Sequence, residues 1–170
     1  MPVKTLVLVR HAKSSWKDAA LADRDRPLNP RGKRDAPEMG NKLADLVGAP
    51  DLIVSSPAAR AIATARIVAD AVGYPVAGIR EDEGIYEASA AEILDVIREL
   101  DDERDRVFLF GHNPGLTDLV NALSEPAIDN LPTCGVVELR LAADRWAEIS
   151  RATVRRAAFI TPKGGRVEGT

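Results

Sequence analysis

The sequence predicts a three-layer α/β/α sandwich built on a mostly parallel central sheet, with an antiparallel hairpin at its C-terminal end. Three observations predict it. Leu6-Val7-Leu8-Val9 and Val107-Phe108-Leu109-Phe110 are continuously apolar, as strands covered on both faces must be. Capped helical repeats follow strand-sized segments several times, the alternation that builds parallel sheets. Towards the end the pattern switches to Val137, Leu139 and Leu141 with Glu138 and Arg140 between them, the period-two signature of a strand with one solvated face.

In chain order, Thr5 to Val9 is the first strand and a central one. Ala12 to Pro30 is polar, carries Lys13, Lys17, Asp23, Arg24, Asp25 and Arg26, and reads as a long surface loop, a length that usually means function or disorder. Asn29 is an N-cap with Pro30 in the first helical position, and Ala36, Met39, Leu43, Leu46 and Val47 form an apolar stripe up to Gly48. Leu52-Ile53-Val54 makes a second strand. Ser56-Pro57 opens a helix that buries Ala58, Ile62, Ala65, Ala69 and Val72 before Gly73. Val76 to Ile79 is expected as a third strand, although Gly78 weakens it. Ser89 to Glu92 has capping-box form and precedes Ile93, Leu94, Ile97 and Leu100.

Val107 to Phe110 is the next strand, and Asn113-Pro114 caps a helix bearing Leu116, Leu119, Val120 and Leu123. After a loop from Glu125 to Gly135 the hairpin is expected to turn at Ala143-Asp144 and to return from Trp146, Glu148 and Ile149. Residues 160–170 show no pattern and are expected as a loosely ordered tail to one domain spanning 1–170.

At 170 residues the chain has room for one full-sized core. Hydrophobic residues at 45% and charged residues at 29% argue against disorder, and the apolar runs are too short to span a bilayer. Met1-Pro2-Val3-Lys4 runs into the first strand without signal-peptide character, so a cytoplasmic location is expected. A net charge of -3 gives no general attraction to nucleic acid or anionic membrane, so an anionic ligand must be caught locally. The single cysteine, Cys134, excludes an internal disulfide and a cysteine-cluster metal site. It reads as structural, with a nucleophilic thiol as the alternative.

The chain has two histidines, and each directly follows a strand: His11 after Leu6 to Arg10, His112 after Val107 to Gly111. Ligands of open parallel sheets sit outside the carboxyl ends of the strands, so both can face one bound group. A neutral imidazole attacks phosphorus when an arginine fork grips the phosphoryl oxygens, and Arg10 stands beside His11 for that task. Arg60 falls in the first turn of the helix opened by Ser56-Pro57, where amides and dipole favour an anion. Gly111 allows close backbone approach, His112 offers a hydrogen bond to the phosphoryl group, and Asn113 is read as a helix cap.

Leu8-Val9-Arg10-His11-Ala12-Lys13-Ser14-Ser15-Trp16, then Ser55-Ser56-Pro57-Ala58-Ala59-Arg60-Ala61, then Gly111-His112-Asn113-Pro114-Gly115 resemble, in that order, the motifs of the histidine phosphatase superfamily. Asp25 to Gly32, with Pro27-Leu28, fits the same pattern. The resemblance spans residues 8–116 and implies a phosphoglycerate mutase-like fold, His11 as the nucleophile that becomes phosphorylated, and Arg10, Arg60 and His112 as the phosphate pocket. No metal or cofactor is implied. Many members use a carboxylic acid between the second and third motifs to protonate the leaving group. Glu87 is the candidate here, with a solvated surface glutamate as the alternative. Lys13, Ser14 and Lys17 are candidate substrate contacts at the pocket rim.

Arg-His-Ala-Lys at 10–13, Lys17 after Trp16 where phosphoglycerate mutases carry asparagine, and a length too short for a lid are more similar to SixA-type phosphohistidine phosphatases. That implies hydrolysis of phosphohistidine on a partner protein. Two alternatives stand beside it: a phosphatase of a small phosphorylated metabolite, and a phosphate-binding signalling module without turnover.

Overall fold

The computed structural model describes residues 3–169. Strands β1 (Lys4–Arg10), β2 (Leu52–Ser55), β3 (Arg80–Glu81) and β4 (Arg106–Gly111) run parallel to one another, and β5 (Val136–Leu141), β6 (Val154–Ile160) and β7 (Arg166–Gly169) complete a seven-stranded sheet in the order β3-β2-β4-β1-β5-β6-β7. The last three join antiparallel, β5 to β1, β6 to β5 and β7 to β6.

Alternation along the inner strands sorts their side chains into two cores. Leu6 and Leu8 of β1 with Val107 and Leu109 of β4 pack towards α3 (Ala90–Arg98) and α4 (Gly115–Leu123). Val7 and Val9 with Phe108 and Phe110 pack towards α1 (Pro30–Leu46) and α2 (Ala59–Val72). All eight are fully buried, which explains the continuous apolar runs and gives the three expected layers.

The helix signals act as read. Asn29 accepts from the Gly32 amide with Pro30 at the first helical position, and Ser89 and Glu92 form a reciprocal capping box. Helix α2 begins two residues after Pro57, so Arg60 is its second residue. Asn113 caps α4 through its side-chain oxygen, which accepts from the Thr117 amide at 3.2 Å and hydroxyl at 2.9 Å.

Three expectations are corrected. Val76–Gly78 is a 3-10 turn, closed by the Tyr74 hydroxyl on the Gly78 carbonyl at 2.7 Å, and the third strand falls later, at Arg80–Glu81. Trp146–Glu148 is also a 3-10 turn, and the return strand starts at Val154. Trp146 is drawn inward because its backbone amide donates to the Asp102 carboxylate and its indole to the Arg104 carbonyl, both at 2.8 Å, so tertiary bonds override the local alternation. The stretch 160–170, expected as a loose tail, contains β7. Arg166 pairs at 2.7 Å with Glu138, which is only 1% exposed, while the Lys42 ammonium donates to the carbonyls of Thr161, Pro162 and Gly164.

Gly115 is needed for close approach rather than for its dihedral freedom. A Cβ there would stand 2.2 Å from the Ala88 carbonyl oxygen, so the segment entering α3 is seated directly on the start of α4. Gly115→Ala is expected to lower the unfolding free energy by about 2 kcal/mol, the usual scale of overpacking, in a urea titration. An unchanged midpoint would mean that this contact yields at no cost.

Candidate active site

Because β2, β4 and β1 are adjacent and parallel, their carboxyl ends bring residues distant in sequence to one edge of the sheet. The His11 amide donates to the Gly111 carbonyl and the Ser56 amide to the Phe110 carbonyl, both at 3.0 Å, which carries the sheet register into the site itself. From beneath, the Cys134 amide donates to the carbonyls of Arg10 and His11 at 3.1 and 3.0 Å. Cys134 takes a left-handed φ of 59° to do so, and burial pushes its thiol pKa up to about 12, which suits the structural reading over a nucleophilic one.

His11 and His112 are both buried, with ring centroids 5.2 Å apart. His11 Nδ1 lies 2.7 Å from the Ala12 carbonyl, an acceptor only, so that nitrogen carries the proton and Nε2 keeps a free lone pair. Burial first, and then the neighbouring charges of His112, Arg60 and Arg10, lower the His11 pKa to about 3 despite the bond to Ala12. The ring is therefore neutral at physiological pH and has the form a nucleophile needs.

His112 Nε2 lies 2.7 Å from the hydroxyl of Ser56, which is itself fully buried and accepts from the Ala58 amide at 3.2 Å. Among the described residues the buried Ser56 hydroxyl has no other acceptor for its own proton, so it donates to Nε2 and His112 carries its hydrogen on Nδ1. Burial, followed by Arg60, lowers the His112 pKa to about 4, so this ring too is neutral. Ser56→Ala frees the ring to take the other tautomer. It is expected to lower kcat on the order of tenfold with little change in KM. Ring 15N shifts of His112 should move towards the Nε2-protonated form, and an unmoved spectrum would contradict the assignment.

Two arginines complete the cluster. Arg10 donates through one terminal nitrogen to the Leu131 carbonyl at 2.9 Å, and burial lowers its pKa. Arg60 donates to the Asp23 carbonyl at 2.7 Å and to its carboxylate at 3.1 Å. Nε of Arg10, Nε of Arg60 and Nδ1 of His112 are buried and make no hydrogen bond among the described residues. Three such donors beside a neutral imidazole are what a tetrahedral oxyanion would satisfy.

The other candidates fare differently. Glu87 is exposed, adopts a left-handed φ of 52°, and enters no hydrogen bond or ion pair among the described residues. Its neighbour Tyr86 reaches the site instead, with its ring edge-on to His112 at 5.7 Å and its hydroxyl donating to Asp23 at 2.7 Å. Ser14, expected at the rim, is buried and accepts from the Arg26 guanidinium at 2.9 Å. Lys13 and Lys17 are exposed and join none of these bonds among the described residues.

Sequence reasoning left Asp23, Arg26, Ser56 and Tyr86 without roles at the site. Asp23 and Arg26 were visible only as charges in a loop. A buried Arg26, with its guanidinium 3.5 Å from the centre of the Trp16 ring, depends on the fold of that loop.

The family model of the histidine phosphatase superfamily, branch 1, matches residues 6–108, which include the first two motifs and the first half of the strand leading to the third. The chain belongs to the histidine phosphatase superfamily. An uncharacterized chloroplastic protein of Arabidopsis thaliana is 32% identical over 98% of this chain and 76% of its own length. Among solved structures, a protein of Nakamurella multipartitia provisionally named phosphohistidine phosphatase SixA superposes with a TM-score of 0.80 at 26% identity, covering 96% of this chain and 99% of that one. The protein histidine phosphatase SixA in complex with tungstate shares the fold with a TM-score of 0.75 at 19% identity, over 93% and 97% of the two chains. A mycobacterial glucosyl-3-phosphoglycerate phosphatase in complex with VO3 also shares it, with a TM-score of 0.66 at 17% identity, over 95% and 99%. Within the superfamily this chain is of SixA type in fold, and it is a phosphatase by family. No described helix is long and apolar enough to cross a membrane.

Proposed function

We propose that this phosphatase hydrolyses phosphohistidine on a partner protein through a covalent phosphoryl group on His11. The observation that carries the reading is the neutral His11, its Nδ1 proton tied to the Ala12 carbonyl, beside unpartnered donors on Arg10, Arg60 and His112. His11 Nε2 attacks phosphorus, a P–N bond forms, and the bond from phosphorus to the leaving imidazole breaks. Arg10, Arg60 and His112 Nδ1–H hold the three equatorial oxygens as charge spreads over them. Water then attacks the phosphoryl group on His11, a P–O bond forms as the bond from phosphorus to Nε2 breaks, and inorganic phosphate leaves the regenerated imidazole.

Two features favour a protein-borne substrate. The SixA-named structures superpose better, with TM-scores of 0.80 and 0.75, than the glucosyl-3-phosphoglycerate phosphatase at 0.66. A departing imidazole also needs little acid assistance, which suits an exposed Glu87. Glu87→Gln is expected to slow hydrolysis of an alkyl phosphate several-fold and of phosphohistidine less than twofold. Equal slowing of both would remove Glu87 from any acid role.

A small phosphomonoester is the second reading, supported by the exposed Lys13 and Lys17 on the segment that follows His11. The deciding experiment compares kcat/KM on a phosphohistidine protein with a panel of phosphorylated metabolites. A preference of at least about tenfold for the protein is expected. A large preference for one metabolite would overturn the first reading, and phosphate binding without release of phosphate from any substrate would favour a signalling module.

A further inference from the structure

The carboxylate of Asp23 accepts three hydrogen bonds at the mouth of the site and keeps a lone pair on Oδ1 for a further donor. One oxygen accepts from the Arg60 terminal nitrogen at 3.1 Å and the Tyr86 hydroxyl at 2.7 Å, and the other accepts from Arg26 Nε at 3.2 Å. These bonds, the Tyr86 hydroxyl foremost, bring its pKa down to about 2, so the group is a permanent anion. It is also 42% exposed, one guanidinium away from the donors that face a phosphoryl group. An anion held beside a phosphate pocket opposes the pocket's main task, so its position calls for a role other than phosphate binding.

The position is on one particular side. An in-line displacement sends the leaving group out opposite His11. Asp23 is tied to Arg60 and to Tyr86, whose ring packs edge-on to His112. The nucleophile is buried and the carboxylate is exposed on the His112 side of the cluster, where a leaving group passes out to solvent. The charges nearest it are Arg60 and Arg26, with the Arg24–Glu83 ion pair stacked over Tyr86 and Glu87 adjoining.

We propose that Asp23 selects the leaving group by charge, accepting the second ring N–H of a departing imidazole and repelling groups that bring their own carboxylate or phosphate. This rests on the proposed phosphohistidine chemistry for its first half. The second half follows from the anion at the mouth alone. Asp23 is on this account a specificity-determining residue, and the acid-base steps do not pass through it.

The test uses three substrates: N-phosphoimidazole, phenyl phosphate with an uncharged leaving group, and phosphoglycolate with a carboxylate next to the ester. Asp23→Asn keeps the shape and removes the charge. Any common loss from weaker support of Arg60 cancels when kcat/KM values are taken as ratios to phenyl phosphate. The phosphoglycolate ratio is expected to rise about tenfold and the N-phosphoimidazole ratio to fall about tenfold, a scale set by one charge near the protein surface, and Asp23→Glu should restore both. Either ratio unchanged within twofold overturns the proposal. A wild-type protein that turns over phenyl phosphate and not N-phosphoimidazole overturns the phosphohistidine reading instead, and the phosphoglycolate ratio then decides on Asp23.

Discussion

His11→Ala is expected to lower turnover by a factor of about 10^4 or more while leaving the fold intact. The side chain contributes to the core only slightly: it is held by one local bond to the Ala12 carbonyl, and the strand beneath it is anchored by its own register with β4 and β5. What is lost is the lone pair on Nε2, for which the cluster has no substitute. His112 Nε2 is occupied by Ser56, and the Cys134 thiol is buried with its pKa raised to about 12. Arg10, Arg60 and His112 would still bind phosphate, so the variant should show near-normal inhibition constants for inorganic phosphate with turnover at background. Retention of more than about 1% of kcat would mean that another group forms the bond to phosphorus.

The second large effect is acid sensitivity. Both histidines are buried as neutral rings, with pKa values brought to about 3 for His11 and about 4 for His112, chiefly by burial, against an ordinary 6.5. As pH falls below 6.5 the unfolded chain takes up a proton at each position and the folded chain does not, so stability falls with pH. The loss continues until each ring protonates in the folded state, near pH 4 and near pH 3. At about 1.4 kcal/mol per unit for each ring, the two together remove on the order of 4 kcal/mol between pH 6.5 and 4.5, a large part of a typical domain's 5–15 kcal/mol. Below pH 4 the Asp23 carboxyl adds to the loss, because its contribution is present above its ordinary 3.8 and disappears as pH falls towards about 2. Urea midpoints measured from pH 7 to 4.5 should drop steeply, and His112→Gln should remove roughly half of the slope. A flat profile would mean that the rings are protonated in the folded protein.

The parts of the molecule legible in sequence are those where local and tertiary demands agree. The inner strands β1 and β4 are buried on both faces, so their apolar runs could be nothing else, and the Asn29 and Ser89 caps bond within their own turns. His11 and His112 were readable because a strand end in a parallel sheet points to a common edge. The misreadings lie where a distant partner decides. Trp146 follows Asp102 and Arg104 rather than its neighbours, and β7 forms because Arg166 finds a buried Glu138 on β5. Asp23 and Tyr86 are 63 residues apart and meet only once the 12–29 loop closes over the site, through Ser14 against Leu28 and Arg26 against Trp16. Ser56 was read as a helix opener, and its bond to His112 needs the β2–β4 register to exist first.

The most direct test of a covalent route through His11 is to trap the phosphorylated protein. The wild-type chain is incubated with a small phosphoryl donor, quenched within milliseconds without acid, and examined by intact mass and peptide mapping, with His11→Ala as control. A single added phosphoryl group on His11, absent from the variant and lost on a further interval with water, is the predicted result. Turnover with no adduct on His11, or an adduct on His112 or Cys134, would contradict it.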